Sequence, residues 1–281
     1  MTGFLLHLAA PLQSWGEHSA FTHRDTAAHP TRSGLIGLVA SALGIPRAQA
    51  VADGTDPDTL FARLTQVRFT VRVDRPGTVM SDFHTVGGGY PQHLTVPTAK
   101  GGRRGADAAT IVSHRYYLSD AAFTVAADFT DGGLARRCAD AVAAPRWPLH
   151  LGRRSCPPGA LLLLGTDLED PAAELNRIPL ARRPPLTTPP SGTVDVRFIS
   201  DQPLPARTHP AGSVGPGGPS TPVVETVLND EPVRLTARDR VHRARSAHST
   251  TRPLPVDLCK GYGTAYLDAI ANHFPAQGAS S

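Results

Sequence analysis

The chain has 281 residues, 40% of them hydrophobic and 19% charged, with 26 glycines and 27 prolines. That composition supplies a substantial core with many turns and excludes low-complexity and collagen-like classes. No run reaches the roughly 18 apolar residues of a membrane helix. Met1-Thr2-Gly3-Phe4 lacks the basic start of a secretory signal, so a soluble cytoplasmic protein with no membrane contact is expected. Cys138, Cys156 and Cys259 are odd in number and far apart, which argues against a disulfide framework or a paired metal motif. The net charge is +4, and of 28 basic residues only Lys100 and Lys260 are lysine. Arginine offers a planar fork that grips phosphate and stacks on bases. Residues 234–252 carry six arginines against one aspartate, and 136–154 carry five against one. Such clusters suggest a polyanionic partner, although a solvated basic face gives the same counts.

Residues 3–9 read as a short buried strand ended by Pro11, and residues 17–30 as a polar excursion. Leu35, Leu38, Val39 and Ala42 then fall at helical spacing, with Thr31 or Ser33 placed to cap the start and Gly44 to end the helix. A short helix follows Asp56-Pro57. Val67, Phe69, Val71 and Val73 alternate with Arg68, Thr70, Arg72 and Asp74, which predicts a half-buried strand. From His84 to about Ser113 the hydrophobic period is lost in a stretch rich in glycine and basic residues. An excursion of that length in a compact domain is usually functional or disordered. Residues 115–126 read as a long strand, Leu134 to Val142 as a helix and Ala160–Leu164 as a buried strand. The resulting strand–helix–strand–excursion–strand–helix–strand order is the ferredoxin-like plan, an antiparallel sheet with helices on one face, shared with RNA-recognition modules. Residues 194–199 and 233–237 look like short paired strands, and the chain from about Pro275 like a disordered end.

No standard catalytic or nucleotide-binding signature occurs, and no cofactor is expected. His18, His23 and His29 lack metal-ligand spacing, and no acidic pair suggests a two-metal nuclease. One set, His84, His114, Tyr116 and Lys100, carries groups suited to metal-free RNA cleavage if they meet.

Six ordered strings then take over from composition: residues 5–16, 30–38, 82–86, 115–125, 149–158 and 235–239. They resemble the CasD family, RAMP-superfamily CRISPR-associated subunits of the type I-E Cascade complex. The proline- and glycine-rich insertion around 203–222 and the chain after Gly261 look longer than usual for that family. The resemblance implies an α+β, RRM-like βαββαβ body at 1–165 with a long β-hairpin thumb inserted at about 84–115. A small irregular C-terminal β region at 166–261 and a partly disordered tail at 262–281 would follow. It implies a non-catalytic subunit that holds the 5′ handle of the crRNA. The partners implied are the large PAM-recognising subunit and the first backbone RAMP subunit, with target DNA reached only indirectly. The type I-C relative, which cleaves precursor RNA, supplies the alternative built on His84, His114, Tyr116 and Lys100. A protein-docking scaffold with little RNA contact is the third reading.

Within that frame the RNA-binding candidates are Trp15 as a stacking platform, and Arg24. Arg32, Ser33 and Gly34 stand at a helix N-terminus suited to phosphate. Lys100, Arg103, Arg104 and Arg115 lie in the thumb, with His84 at its base. Gly152, Arg153 and Arg154 form a loop, and Arg238 lies near the C-terminus. No residue is assigned to a metal.

Overall fold

The computed structural model describes residues 2–16, 22–54, 56–89, 91–98, 100–205, 223–236 and 239–274. The 206–222 part of the insertion, His18, Arg238 and the end from Pro275 lie outside the described residues. Strands β1 (Thr2–Ala9), β4 (Arg68–Arg75), β7 (Ala122–Phe129), β8 (Leu163–Leu168), β9 (Thr193–Ser200), β10 (Val224–Leu235) and β11 (Arg240–Pro255) form one seven-stranded sheet. Its order is β10-β11-β9-β4-β7-β1-β8, and every pairing is antiparallel. Among the described residues no helix is long and apolar enough to cross a membrane.

Successive strand residues point to opposite faces, so a sheet buried on both sides needs two cores. β1 divides accordingly. Phe4, Leu6 and Leu8 join the core under α1 (Arg32–Ala42) and α3 (Gly132–Ala143), while Leu5 joins a second core. The short helix expected after Asp56-Pro57 is α2 (Leu60–Leu64), capped by Thr59, and it adds Phe61 and Leu64 to the first core. The second core is closed by residues 175–181, which follow the single turn α4 (Pro171–Glu174), and by Tyr266 and Ile270 of α5 (Thr264–His273). The body's helices α1, α2 and α3 thus share one face, as expected, and the unexpected cover of the other face comes from the C-terminal segments. The helix α5 falls in the stretch expected as a tail, where Tyr266 and Ile270, four residues apart, supply its buried stripe.

The double cover also corrects the half-buried reading of β4. Arg72 is 0% exposed and Asp74 1%. Arg72 donates to both Asp74 oxygens at 2.6 and 3.1 Å and to the carbonyls of Leu175, Ile178 and Pro179 at 2.6–2.9 Å. Polar alternation pointed to solvent, but here the ion pair and a ring of carbonyls satisfy the charges inside.

The long strand expected at 115–126 is two strands in two sheets. Asp120 takes a left-handed conformation (φ 56°) between β6 (Ile111–Ser119) and β7. β6 instead pairs along its whole length with β5 (Thr78–Val86), from Thr78↔Ser119 to Val86↔Ile111, without a register shift. Its other edge takes β2 (Leu12–Gln13) antiparallel and β3 (His23–Arg24) parallel. The hairpin thus begins six residues before His84. β5 carried no amphipathic signal because most of it is exposed on both faces.

At the other end, 194–199 and 233–237 do not pair with one another. β11 lies between β9 and β10 and pairs with both. Its sequence, dominated by Arg, His, Ser and Thr, gave no hydrophobic period. These strands extend the main sheet rather than forming a separate small irregular region.

Candidate nucleic-acid interface

Several residues singled out in the sequence turn inward. Trp15 is 1% exposed and its indole N–H donates to Gln13 Oε1 at 3.0 Å, so it is core and offers no stacking face. Gly34 lies against that indole. A Cβ there would meet Trp15 at 2.9 Å, which explains the glycine without a ligand. Arg32 is 7% exposed, and its guanidinium donates to the carbonyls of Val67 at 2.8 Å and Thr65 at 2.6 Å and to the carboxylates of Asp201 and Glu231. Four of its five N–H donors are thereby used inside, and the side chain is turned away from solvent. The helix N-terminus is also taken: Thr31 caps the Gly34 N–H, and Asp230 accepts from the Arg32 N–H at 2.7 Å. Ser33 sits half-buried on that occupied turn.

Arg245 completes this knot, reaching Asp230 at 2.6 Å and Asp201 at 2.9 Å. Burial pushes the Glu231 carboxyl up despite the Arg32 guanidinium beside it. The knot ties α1 to β10 and β11, joining residues nearly two hundred positions apart. The sequence gave no means of pairing them.

Gly152 has a structural cause as well. Its φ is 89°, and a Cβ would fall 1.7 Å from the Ser14 carbonyl oxygen. Only glycine permits that approach, and it presses the 150s loop onto the strand that follows β1. The next residue benefits. Arg153 is carried over the Tyr117 ring, 4.8 Å from its centroid, and donates to the Arg24 carbonyl at 2.7 Å.

Arg24, Arg115 and Arg153, from three distant segments, thereby meet at one place. Arg24 and Arg115 are register partners in the parallel β3–β6 pair, so their side chains share a face. Tyr117, two residues along β6, lies on that face beneath Arg153. Arg115 is half-buried and steadied by Ser113 Oγ at 3.2 Å, while Arg24 and Arg154 are exposed. Asp82 stands opposite Arg115 on β5, with His84 paired to it at 3.4 Å. Beyond the strands Lys100 is exposed in the hairpin tip, where Arg103 donates to the Thr95 carbonyl at 2.5 Å and Arg104 to that of Ala108 at 3.3 Å. Both tip arginines thus also brace the loop that displays them.

The opposite hairpin face is different. Phe83, 63% exposed, meets the His114 ring edge-on at 5.6 Å, and His114 stacks on His23 at 5.3 Å. Tyr116 shares that face by register, across from Ser81. His84, one residue from Phe83, points the other way. The four groups considered for RNA cleavage therefore do not gather on one face. Among the described residues no cluster of His, Cys, Asp or Glu is arranged to hold a metal ion.

Tyr117 and Phe83 lie in the strings 115–125 and 82–86 but were not among the candidate binding residues. The i, i+2 spacing of Arg115 and Tyr117 was the available signal for their common face.

A chain with a two-sided antiparallel sheet and a projecting basic hairpin is thus in view, and known proteins match it. The family model of the CRISPR-associated protein Cas5 matches residues 3–210. This chain belongs to that family. It is similar to the CRISPR system Cascade subunit CasD of Escherichia coli (strain K12), with 38% identity over 165 residues, covering 58% of this chain and 70% of the relative. Among solved structures, a chain of a CRISPR RNA-guided surveillance complex is 40% identical with a TM-score of 0.76, covering 97% of this chain and 99% of that one. A second, described as the crystal structure of a Cas protein, is 27% identical with a TM-score of 0.55, covering 92% and 98%.

Proposed function

We propose that this protein is the crRNA-holding subunit of a type I-E Cascade surveillance complex, in the cytoplasm, and that it has no catalytic role. Its likeness to the Escherichia coli CasD subunit supports the assembly. One observation carries the RNA-binding role: the convergence of Arg24, Arg115 and Arg153 beside the middle of β6. Arg24 and Arg115 stand side by side on paired strands and Arg153 reaches over from the neighbouring loop, with Arg154 next to it and Lys100, Arg103 and Arg104 farther along the hairpin. Such a track grips a phosphodiester backbone, and the 5′ handle of the crRNA is the strand proposed to lie on it. The hairpin acts as the thumb, and the body is ferredoxin-like. The order β4-β7-β1-β8, with α1 and α3 connecting the strands on one face, supports that assignment. The proposed neighbours are the large PAM-recognising subunit and the first backbone subunit, with target DNA contacted through them. The opposed directions of His84 and His114 speak against the ribonuclease alternative.

The test is copurification of the assembled complex with its RNA, followed by crosslinking. Arg24→Gln/Arg115→Gln/Arg153→Gln should lose the crosslink and flatten the salt dependence of RNA binding by about 0.7 for each phosphate released. Metal-free cleavage of repeat RNA by the isolated chain, abolished in His114→Ala, would overturn the non-catalytic role. Full RNA retention in the triple variant would overturn the RNA track.

A further inference from the structure

A second basic cluster lies at the hairpin root, built from residues outside the track above. β4 ends on Arg75, and the chain turns through Pro76 and Gly77 into β5. Arg75 holds Asp120, the residue where β6 turns into β7, donating to its carbonyl at 3.1 Å and its carboxylate at 2.8 Å. The same guanidinium stacks on Tyr262 with its carbon 4.5 Å from the ring centroid. Arg183 stacks on that ring too, at 4.9 Å.

Backbone pairing brings the rest of the cluster alongside. The Lys260 N–H donates to the Leu180 carbonyl at 3.2 Å, and the Gly261 N–H to the Arg182 carbonyl at 2.9 Å. Arg183 and Lys260 are exposed, and Tyr262 is 43% exposed. Among the described residues neither Arg183 nor Lys260 forms an ion pair, and Asp120 is spent on Arg75. Arg75 is matched by Asp120, whereas Arg183 and Lys260 bring positive charge to the segment around one phenol ring with no carboxylate paired to them among the described residues. With two guanidiniums on the ring, its hydroxyl rather than its face is left for a ligand. That favours a phosphate oxygen over a stacked base.

We infer that Arg183, Tyr262 and Lys260, backed by Arg75, form a second phosphodiester site that takes the RNA backbone at the hairpin root. This inference rests on the reading that the chain holds RNA. Arg183 supplies the bidentate fork, the Tyr262 hydroxyl a donor and Lys260 a point charge. Because Arg75 is bonded to Asp120, the site is fixed relative to the hairpin that carries Arg115.

The full chain, free and assembled with its partner subunits, is titrated with mixed-sequence and oligouridylate single-stranded RNA over a salt series. Arg183→Gln/Lys260→Gln should weaken both RNAs alike, by roughly three- to tenfold for each charge removed. The salt slope should flatten by about 0.7 for each phosphate released, with the melting temperature unchanged. Tyr262→Phe, which keeps the ring stacked and removes the hydroxyl, should weaken binding less. Unchanged affinity in the double variant, with Arg24→Gln/Arg115→Gln still weakened, would overturn this site and leave the RNA-holding role intact. If neither double variant binds less tightly, both fail. Normal RNA affinity with failed subunit assembly would overturn the site in favour of an acidic protein surface.

Discussion

Replacing Arg32 with methionine separates an arginine that organises the fold from one that meets RNA. In the parent, Arg32 satisfies the Thr65 and Val67 carbonyls and neutralises Asp201 and Glu231, whose side chains are 15% and 16% exposed. Its removal leaves Asp201 with Arg245 and the Phe69 N–H, and strands Glu231, whose carboxyl burial already pushes up. Leaving one partner of a buried pair uncompensated costs about 3–5 kcal/mol. At roughly 2–4 °C per kcal/mol for a chain of this size, the melting temperature should fall by about 6–20 °C. A second substitution checks the cause: Glu231→Gln combined with Arg32→Met removes the stranded charge and should recover part of the loss. Thermal melts of both variants, with RNA titrations at a temperature where both remain folded, decide the matter. The RNA salt slope should match the parent, because the Arg32 guanidinium lies inside. Parental stability with a flattened slope would refute the internal assignment of Arg32.

Two buried titrating groups give stability a pH dependence of opposite signs. Burial, aided by Arg72 and Arg75, pushes the His7 imidazole down to about 4, so the unfolded chain takes up this proton first as pH falls below about 6.5. His7 therefore costs stability progressively from about pH 6.5 to about pH 4, by at most about 3 kcal/mol. Burial, then the Asp170 charge, pushes Asp128 up to about 6, so the folded chain keeps this proton longer. Its contribution is present at low pH and is lost as pH rises through about 6, with a limit of about 3 kcal/mol. Asp128→Asn should raise stability at pH 7 and steepen its decline between about pH 6 and pH 4, measured by denaturant melts. A variant no more stable at pH 7 would remove this account. Gly152→Ala should cost at least about 2 kcal/mol, because its Cβ meets the Ser14 carbonyl at a positive φ. It should also weaken RNA binding by displacing Arg153, and unchanged melting would show that the loop relaxes freely.

Most of the central fold was legible because hydrophobic period and punctuation agree there. The α1 stripe, its Thr31 cap and the Gly44 stop all appear in the structure. So does α3 over residues 132–143. What was missed follows from long-range pairing. The alternating polar residues of β4 look solvent-facing until residues 175–181 fold over them with carbonyls aimed at Arg72. β11 has little apolar period, and its place between β9 and β10 is set by register across the chain. β5 is held by its full ladder to β6 rather than by burial, so its side chains carried no trace of it.

The site was legible in residue type but not in direction. Arg24, Arg32, Arg115 and Arg153 were alike as candidates in the sequence, three of them in the resembling strings and Arg24 in the polar excursion 17–30. Their separation depends on where carboxylates lie in space. Arg32 and Arg72 meet acidic groups and carbonyls from distant segments, and their charge is consumed inside. Arg24, Arg115 and Arg153 have no buried carboxylate assigned to them by the fold, and Arg153 spends its bonds on a ring and a carbonyl. A guanidinium held by a carbonyl and an aromatic face retains its full charge for an outside anion, whereas one gripped by two carboxylates does not. The same criterion, applied to residues the sequence strings passed over, selects Arg183, which rests on Tyr262 without an acidic partner among the described residues.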